Sequence, residues 1–275
     1  NVHTPISALD GVRPELSGRA LVRRVLQGEP AAFGALYDRH VDRVYKFAQF
    51  RVRDPATAAT LQELARAEPR VRIEALDLAN PTSIDDLAGR LGGELALDVL
   101  LHNAALLGPG GPQLLGAWQE AAFLDAFRAN ALGPALLTQR LLPLVEAGCQ
   151  KKIMFLGSAA GSIGLLQPPA NLYAYRASKA ALHLLARNLA LDLKARGLIV
   201  GLVNPVLVDT RGLLDLAPDD PGPPDLQHLV KLVRAGVVPL IRPAASVTGM
   251  RTLIDDWTLD QSGVFLNYDA QPLPW

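Results

Sequence analysis

The chain has 275 residues, 49% of them hydrophobic, enough to bury the core of one large α/β domain or of a domain with an appendage. Lys plus Arg and Asp plus Glu balance at 27 each, so no net positive field marks a nucleic-acid partner. One cysteine, Cys149, excludes a disulfide framework and a cysteine zinc site, and fits the reducing cytoplasm. No apolar run reaches the roughly 18 residues of a membrane span. The opening NVHTPISALDG lacks the order of a signal peptide and an initiating methionine, as expected of a chain that begins inside a longer sequence.

Along the chain, RALVRRVL is strand-like but carries three arginines, which a central parallel strand does not tolerate. Next, Gly28, Ala32 and Gly34 make a degenerate glycine pattern. Pro30 suits the first turn of a helix, and Phe33, Leu36, Tyr37, His40, Val41, Val44 and Phe47 recur at helical spacing. From about residue 54 helix and strand alternate. TAATLQELARAE is a predicted helix, VRIEALDL a short strand, and IDDLAGRLGG a helix stopped by glycine. LDVLLHNAA is predicted as a strand buried on both faces, followed by the long helix FLDAFRANALGPALLTQRLLPLVEAG. KKIMFLGSAAG reads as a buried strand entering a small-residue turn, and YAYRASKAALHLLARNLALDLKARG as a strong helix closed by Gly197. LIVGLVNPV is a further buried strand. The Pro-, Gly- and Asp-rich segment 209–243 is expected to form a long ordered insertion or lid, before a last helix in SVTGMRTLIDDW and a last strand in SGVFLNYD. This order implies a doubly wound, Rossmann-like parallel sheet.

Tyr175 and Lys179 stand four apart on a predicted helix and share a face. A free phenol is a poor acid or base at neutral pH. An ammonium about 4 Å away, at an effective dielectric near 20, would favour the phenolate by roughly 4 kcal/mol and bring the phenol near working pH. A serine at the neighbouring strand end would hold the same substrate oxygen, at the carboxyl edge of the sheet where ligands bind in such folds. The five histidines have no ligand spacing with acidic partners, so no metal site is expected.

From about residue 53 to Trp275 the chain resembles the short-chain dehydrogenase/reductase family, in its C-factor-like and sniffer-like carbonyl reductase branch. ALDLANPTS, HNAA, RANALGP, GSAAGSIG with YAYRASKAAL, and the tail SGVFLNYDAQPLPW carry the likeness in the family's order. The resemblance implies an NADP(H)- or NAD(H)-dependent oxidoreductase acting on a carbonyl or alcohol. Its Tyr175 would be the proton donor or acceptor. Lys179 would lower the Tyr175 pKa and bind the nicotinamide ribose. Ser158 would hold the substrate oxygen, with Ser162 as rival at the more common spacing, and Asn130 would position a relay water. Cofactor contacts would come from Arg53 at the 2′-phosphate, Asp77 and Leu78 at the adenine, Asn103, Ala104 and Ala105 after the third strand, and Pro205, Val208 and Thr210 at the nicotinamide. Two residues depart from the family pattern. Val206 replaces a glycine, and its Cβ would crowd the cofactor or tilt the backbone; Ala105 replaces another glycine at the cost of one methyl. A homodimer or homotetramer through the helices of Asn130 and Tyr175 is implied, with a small-molecule partner and neither nucleic acid nor membrane.

Residues 20–54 resemble something else, region 2 of an extracytoplasmic-function sigma factor, through ALVRRVLQGEPAAFGALYDRHVDRVYKFAQFRVRD; that likeness implies a bacterial source. Two readings of VLQGEPAAFG follow. It is a degenerate TGxxxGxG phosphate loop, or a sigma-like helix start replacing the first βα unit, with the domain boundary at 52/53. Glu29 beside the phosphates speaks against the first. Three functions follow in turn: an active reductase, a reductase-like protein that lacks its phosphate site and catalysis, and a sigma-related transcription protein.

Overall fold

The computed structural model describes residues 71–92, 95–108, 114–168, 171–224 and 226–275. Every described residue belongs to one compact unit, Lys46–Trp275. Arg53, the 52/53 boundary and both readings of residues 25–34 lie outside the described residues.

Four strands, β1 (Val99–His102), β2 (Lys152–Leu156), β3 (Ile199–Asn204) and β6 (Phe265–Asn267), form a parallel sheet in the order β1-β2-β3-β6. The register sets Leu101 beside Met154, Phe155 beside Leu202, and Val203 beside Leu266. Side chains alternate across the sheet, so two cores form. On one face Ile153, Phe155, Val200 and Leu202 pack with α1 (Pro81–Leu91), α3 (Gly133–Ala147) and α4 (Tyr173–Lys194). On the other, Met154, Ile199 and Val203 meet Leu253, Ile254 and Trp257 around α6 (Pro243–Asp256). Helices on both faces make the predicted doubly wound arrangement.

Two expectations are corrected. VRIEALDL forms no ladder among the described residues. Its Glu74 is held by Arg72 and Arg90, and Arg90 also donates to the Ala75 carbonyl at 2.7 Å, so side chains take up groups a strand would pair; Ile73 is 40% exposed. Strand β1 is buried on one face only, with Leu101 42% exposed, because it lies at the edge of the described sheet.

The long central helix is interrupted as its sequence requires. α2 (Glu120–Phe127) runs into a π-turn over Arg128–Leu132 and then into α3. Pro134 has no N–H for the Asn130 carbonyl one turn back, and the Gly133 N–H reaches Arg128 instead, five residues away. The described residues of segment 209–243 hold regular structure. Asp209 accepts from the N–H groups of Leu213 (2.8 Å) and Leu214 (2.9 Å), β4 (Leu207–Val208) pairs with β5 (Leu240–Ile241), and α5 (Gln227–Arg234) lies between. Arg242 grips Asp215 through two nitrogens.

Candidate active site

The site is built at the carboxyl ends of β2 and β3 and on the first turns of α4. Beyond Leu156 the ladder closes with Gly157 N–H on the Val203 carbonyl (2.8 Å), and the chain turns through Ala159–Gly161. Ser158 caps this turn, accepting the Ala160 N–H at 3.2 Å, and its side chain faces Tyr175 closely enough to favour the phenolate. Asn204 holds the turn from β3: its Oδ1 accepts the Ala159 N–H at 3.1 Å while its Nδ2 donates to Asn267 at 2.9 Å.

Burial raises the Tyr175 pKa, and the Ser158 side chain offsets part of that rise. Burial therefore outweighs the lowering expected from Lys179, and the net shift is upward. The ammonium lies 5.9 Å from the ring centroid and donates to the Leu156 carbonyl at 2.8 Å. Burial also brings Lys179 itself down to about 8. The pair thus presents a neutral phenol, a proton donor by default, beside a buried cation.

Asn130 is buried in the π-turn. Its Oδ1 accepts the Leu106 N–H (2.6 Å), and its amide donates to the Leu106 carbonyl (2.8 Å) and to Ser178 Oγ (2.9 Å). Ser178 in turn donates to the Tyr175 carbonyl at 2.8 Å. Both amide hydrogens of Asn130 are committed, so its side chain braces the loop after β1 against the tyrosine's helix. Ser162 stands apart from Tyr175's partners: it is buried and donates to the Pro274 carbonyl at 2.6 Å, fastening the C-terminal tail.

The other described residues expected to hold the cofactor lie in the loops after β1 and β3 and in the turn at Asp77. Asn103 and Ala105 are exposed and Ala104 half-buried in the loop after β1. Asp77 shapes its own turn, accepting the Ala79 N–H at 3.0 Å, and the Leu78 carbonyl lies only 2.3 Å from where a Cβ on Gly133 would stand. The Pro205 carbonyl accepts from Ser246 Oγ (2.8 Å), Val208 accepts the Thr210 N–H (3.0 Å), and Thr210 is exposed. Val206 has φ +63°, the tilt expected of a residue standing where the family has glycine. An ammonium has three hydrogens, and Lys179 directs one to the Leu156 carbonyl, so its chemistry fits a further acceptor such as a ribose hydroxyl.

Two histidines escaped the sequence reading as parts of this architecture. His102 is buried, stacks on Phe155 (centroids 4.6 Å apart) and pairs through Nε2 with Thr138 Oγ1 at 2.9 Å. Thr138 donates onward to Pro134, so Nε2 is the protonated nitrogen; burial pushes the His102 pKa down to about 3. His183 lies one turn beyond Lys179, and the Ser158 N–H donates to its Nε2 at 3.3 Å. Burial, then the Lys179 charge, lowers its pKa to about 4. The signal for His183 was its four-residue step from Lys179 on the face of Tyr175.

The profile of the short chain dehydrogenase family matches residues 37–220. The chain belongs to that family. The match starts at Tyr37, inside the segment compared above with sigma region 2; the sigma-factor resemblance is not supported, because the dehydrogenase family claims much of the same residues. Its members are oxidoreductases, and the reading as an active short-chain oxidoreductase is the one favoured over an inactive or transcriptional protein. The C-signal of Myxococcus xanthus is 31% identical over 179 residues, 65% of this chain and 93% of that protein. The NADPH-bound carbonyl reductase from chicken fatty liver superposes with a TM-score of 0.68 at 25% identity, covering 84% of this chain and 88% of the other. Carbonyl reductase Sniffer of D. melanogaster superposes with a TM-score of 0.66 at 24% identity, over 84% and 88% of the two chains. Both superpositions fit the short-chain dehydrogenase fold derived above. Among the described residues no helix is long and apolar enough to cross a membrane, and no group of three or more His, Cys, Asp or Glu residues is placed to hold a metal.

Proposed function

We propose that the protein reduces a carbonyl compound with NADPH, or oxidises the corresponding alcohol with NADP, through Ser158, Tyr175 and Lys179. The meeting of Ser158, in the turn after β2, with Tyr175 and with Lys179, whose ammonium donates to the Leu156 carbonyl at 2.8 Å, carries this reading. When bound, the dihydronicotinamide supplies a hydride to the carbonyl carbon. Ser158 Oγ turns its hydrogen to the carbonyl oxygen and orients it. Tyr175 then transfers its phenolic proton to that oxygen as charge develops there, completing the alcohol. Lys179, cationic below about pH 8, stabilises the phenolate left behind. Asn130 and Ser178 keep the loop after β1 and the first turn of α4 in register for these steps.

NADP(H) rather than NAD(H) is supported by Arg53 in the sequence and by the NADPH-bound relative. The C-signal and Sniffer likenesses support the carbonyl reductase branch. The single exposed Cys149 supports a cytoplasmic setting. Exposed apolar residues on α4, Leu184 (64%) and Leu191 (65%), support pairing into a homodimer or homotetramer.

Isothermal titration with NADPH tests cofactor binding; no heat at millimolar cofactor would end the enzyme reading. Tyr175→Phe should leave NADPH binding intact and lower turnover by roughly 10²–10⁴-fold. Undiminished turnover in that variant would remove Tyr175 from the mechanism.

A further inference from the structure

We propose that His183 is a positioning residue for the serine of the active site: its imidazole Nε2 takes the Ser158 main-chain N–H and thereby sets the Ser158 hydroxyl against Tyr175. The inference rests on the reading of Ser158 as the donor to the substrate oxygen.

The Ser158 amide is the first N–H beyond the β2–β3 ladder, whose last bond here is Gly157 N–H to Val203. Such a donor, turned into the protein, needs a partner or carries the full cost of desolvation. Three successive amides are each caught by a side chain from a different place. Ser158 N–H goes to His183 on α4, Ala159 N–H to Asn204 on β3, and Ala160 N–H to Ser158's own hydroxyl. The last two bonds fix the turn against the sheet and fix the hydroxyl within the turn. Of these three, the bond to His183 is the one that ties the turn to the helix that carries Tyr175.

The close approach is prepared from both sides. A Cβ on Gly157 would lie 2.9 Å from His183 Nε2, closer than real Cβ contacts, so only glycine lets the ring come near. Behind the imidazole stand Phe265, 4.7 Å away between centroids, and Trp275 at 6.1 Å. Along α4 the order is phenol, ammonium, imidazole at four-residue steps, so one rigid face fixes all three against the strand end. The acceptor role requires the neutral ring with its proton on Nδ1: the His183 pKa of about 4 keeps the ring neutral at neutral pH, and the Ser158 N–H, which can only donate, selects Nε2 as the acceptor.

The test is a double-mutant cycle on the full chain with NADPH. A panel of aromatic and aliphatic ketones and aldehydes is screened first, and the one turned over fastest is used throughout. His183→Leu removes the acceptor, and Ser158→Ala removes the group it is held to position. His183→Leu should lower kcat by about 10-fold or more, as a misplacement of catalytic groups does. NADPH Kd should move by less than about 2-fold. In the Ser158→Ala background the same change should lower kcat by less than about 2-fold, because the two act as one unit. His183→Gln, which keeps an acceptor, should recover most of the lost turnover, while His183→Met, of similar length without one, should not. Should His183→Leu fail to fold, the Gln and Met pair carries the cycle. Unchanged kcat without the acceptor, or an equal loss in both backgrounds, overturns the proposal. A Ser158→Ala variant with undiminished turnover would instead overturn the reading of Ser158 on which the proposal rests.

Discussion

Val206 closes the β3 edge of the site with φ +63°, a conformation that costs a β-branched residue more than any other kind. Strain of this sort is roughly 1–3 kcal/mol, against the roughly 0.5–1 kcal/mol of extra chain entropy that glycine loses on folding. Val206→Gly should therefore gain about 1 kcal/mol in urea unfolding, and a clear loss would show that the valine's half-buried packing outweighs its strain. The two serines separate in the same way, by partner. Ser158→Ala removes a donor at the reacting oxygen and should lower kcat by roughly 10²–10³-fold with little change in stability. Ser162→Ala breaks the 2.6 Å bond to Pro274 and should cost about 1 kcal/mol of stability while leaving kcat within a factor of about two. Equal kinetic losses in the two variants would reverse the choice between them.

At the scale of elements, the site depends on how closely the Ala159–Gly161 turn lies on α4. A Cβ on Gly161 would fall 2.7 Å from Lys179 Cβ and 2.8 Å from its carbonyl carbon, both parts of a rigid helix. The run of small residues after β2 is therefore a spacer that lets Ser158 meet Tyr175. Gly161→Ala should push turn and helix apart, costing roughly 1–3 kcal/mol in thermal or denaturant unfolding. Turnover should fall more than NADPH affinity does; unchanged stability would mean that the turn can slide. The π-turn at Arg128–Leu132 is the matching device on the other side. It follows from Pro134, and it brings Asn130 to Leu106 and Ser178. The helix would otherwise be a regular cylinder with no side chain committed to the loop after β1.

At the scale of the whole fold, the sheet face covered by α1, α3 and α4 buries two neutral histidines, His102 at the end of β1 and His183 beneath Gly157. Their folded pKa values, about 3 and about 4, lie below the unfolded value near 6.5. The unfolded chain thus binds more protons below that value, and stability falls as pH falls. The loss begins near pH 6.5 and runs to about pH 4 for His183 and about pH 3 for His102, at up to about 1.4 kcal/mol per pH unit for each histidine. Replacing both, as His102→Asn with His183→Gln, should flatten the acid limb of stability against pH between 6.5 and 4; an unchanged slope would show that other groups set it. The order of strands and helices from residue 81 onward and the buried β2 and β3 were legible in the sequence, because local periodicity carries them; Tyr175 and Lys179 stood out by their four-residue step, and Ser158 only through the family resemblance. The run VRIEALDL was not legible: among the described residues it joins no ladder, and the Ala75 carbonyl accepts from Arg90 instead. Nor did spacing reveal which of Ser158 and Ser162 faces the tyrosine, the rise rather than fall of the Tyr175 pKa, or His183 under Ser158. Each of those depends on which groups meet across α4, β3 and the tail, and on how much water their meeting excludes, which only the tertiary structure decides.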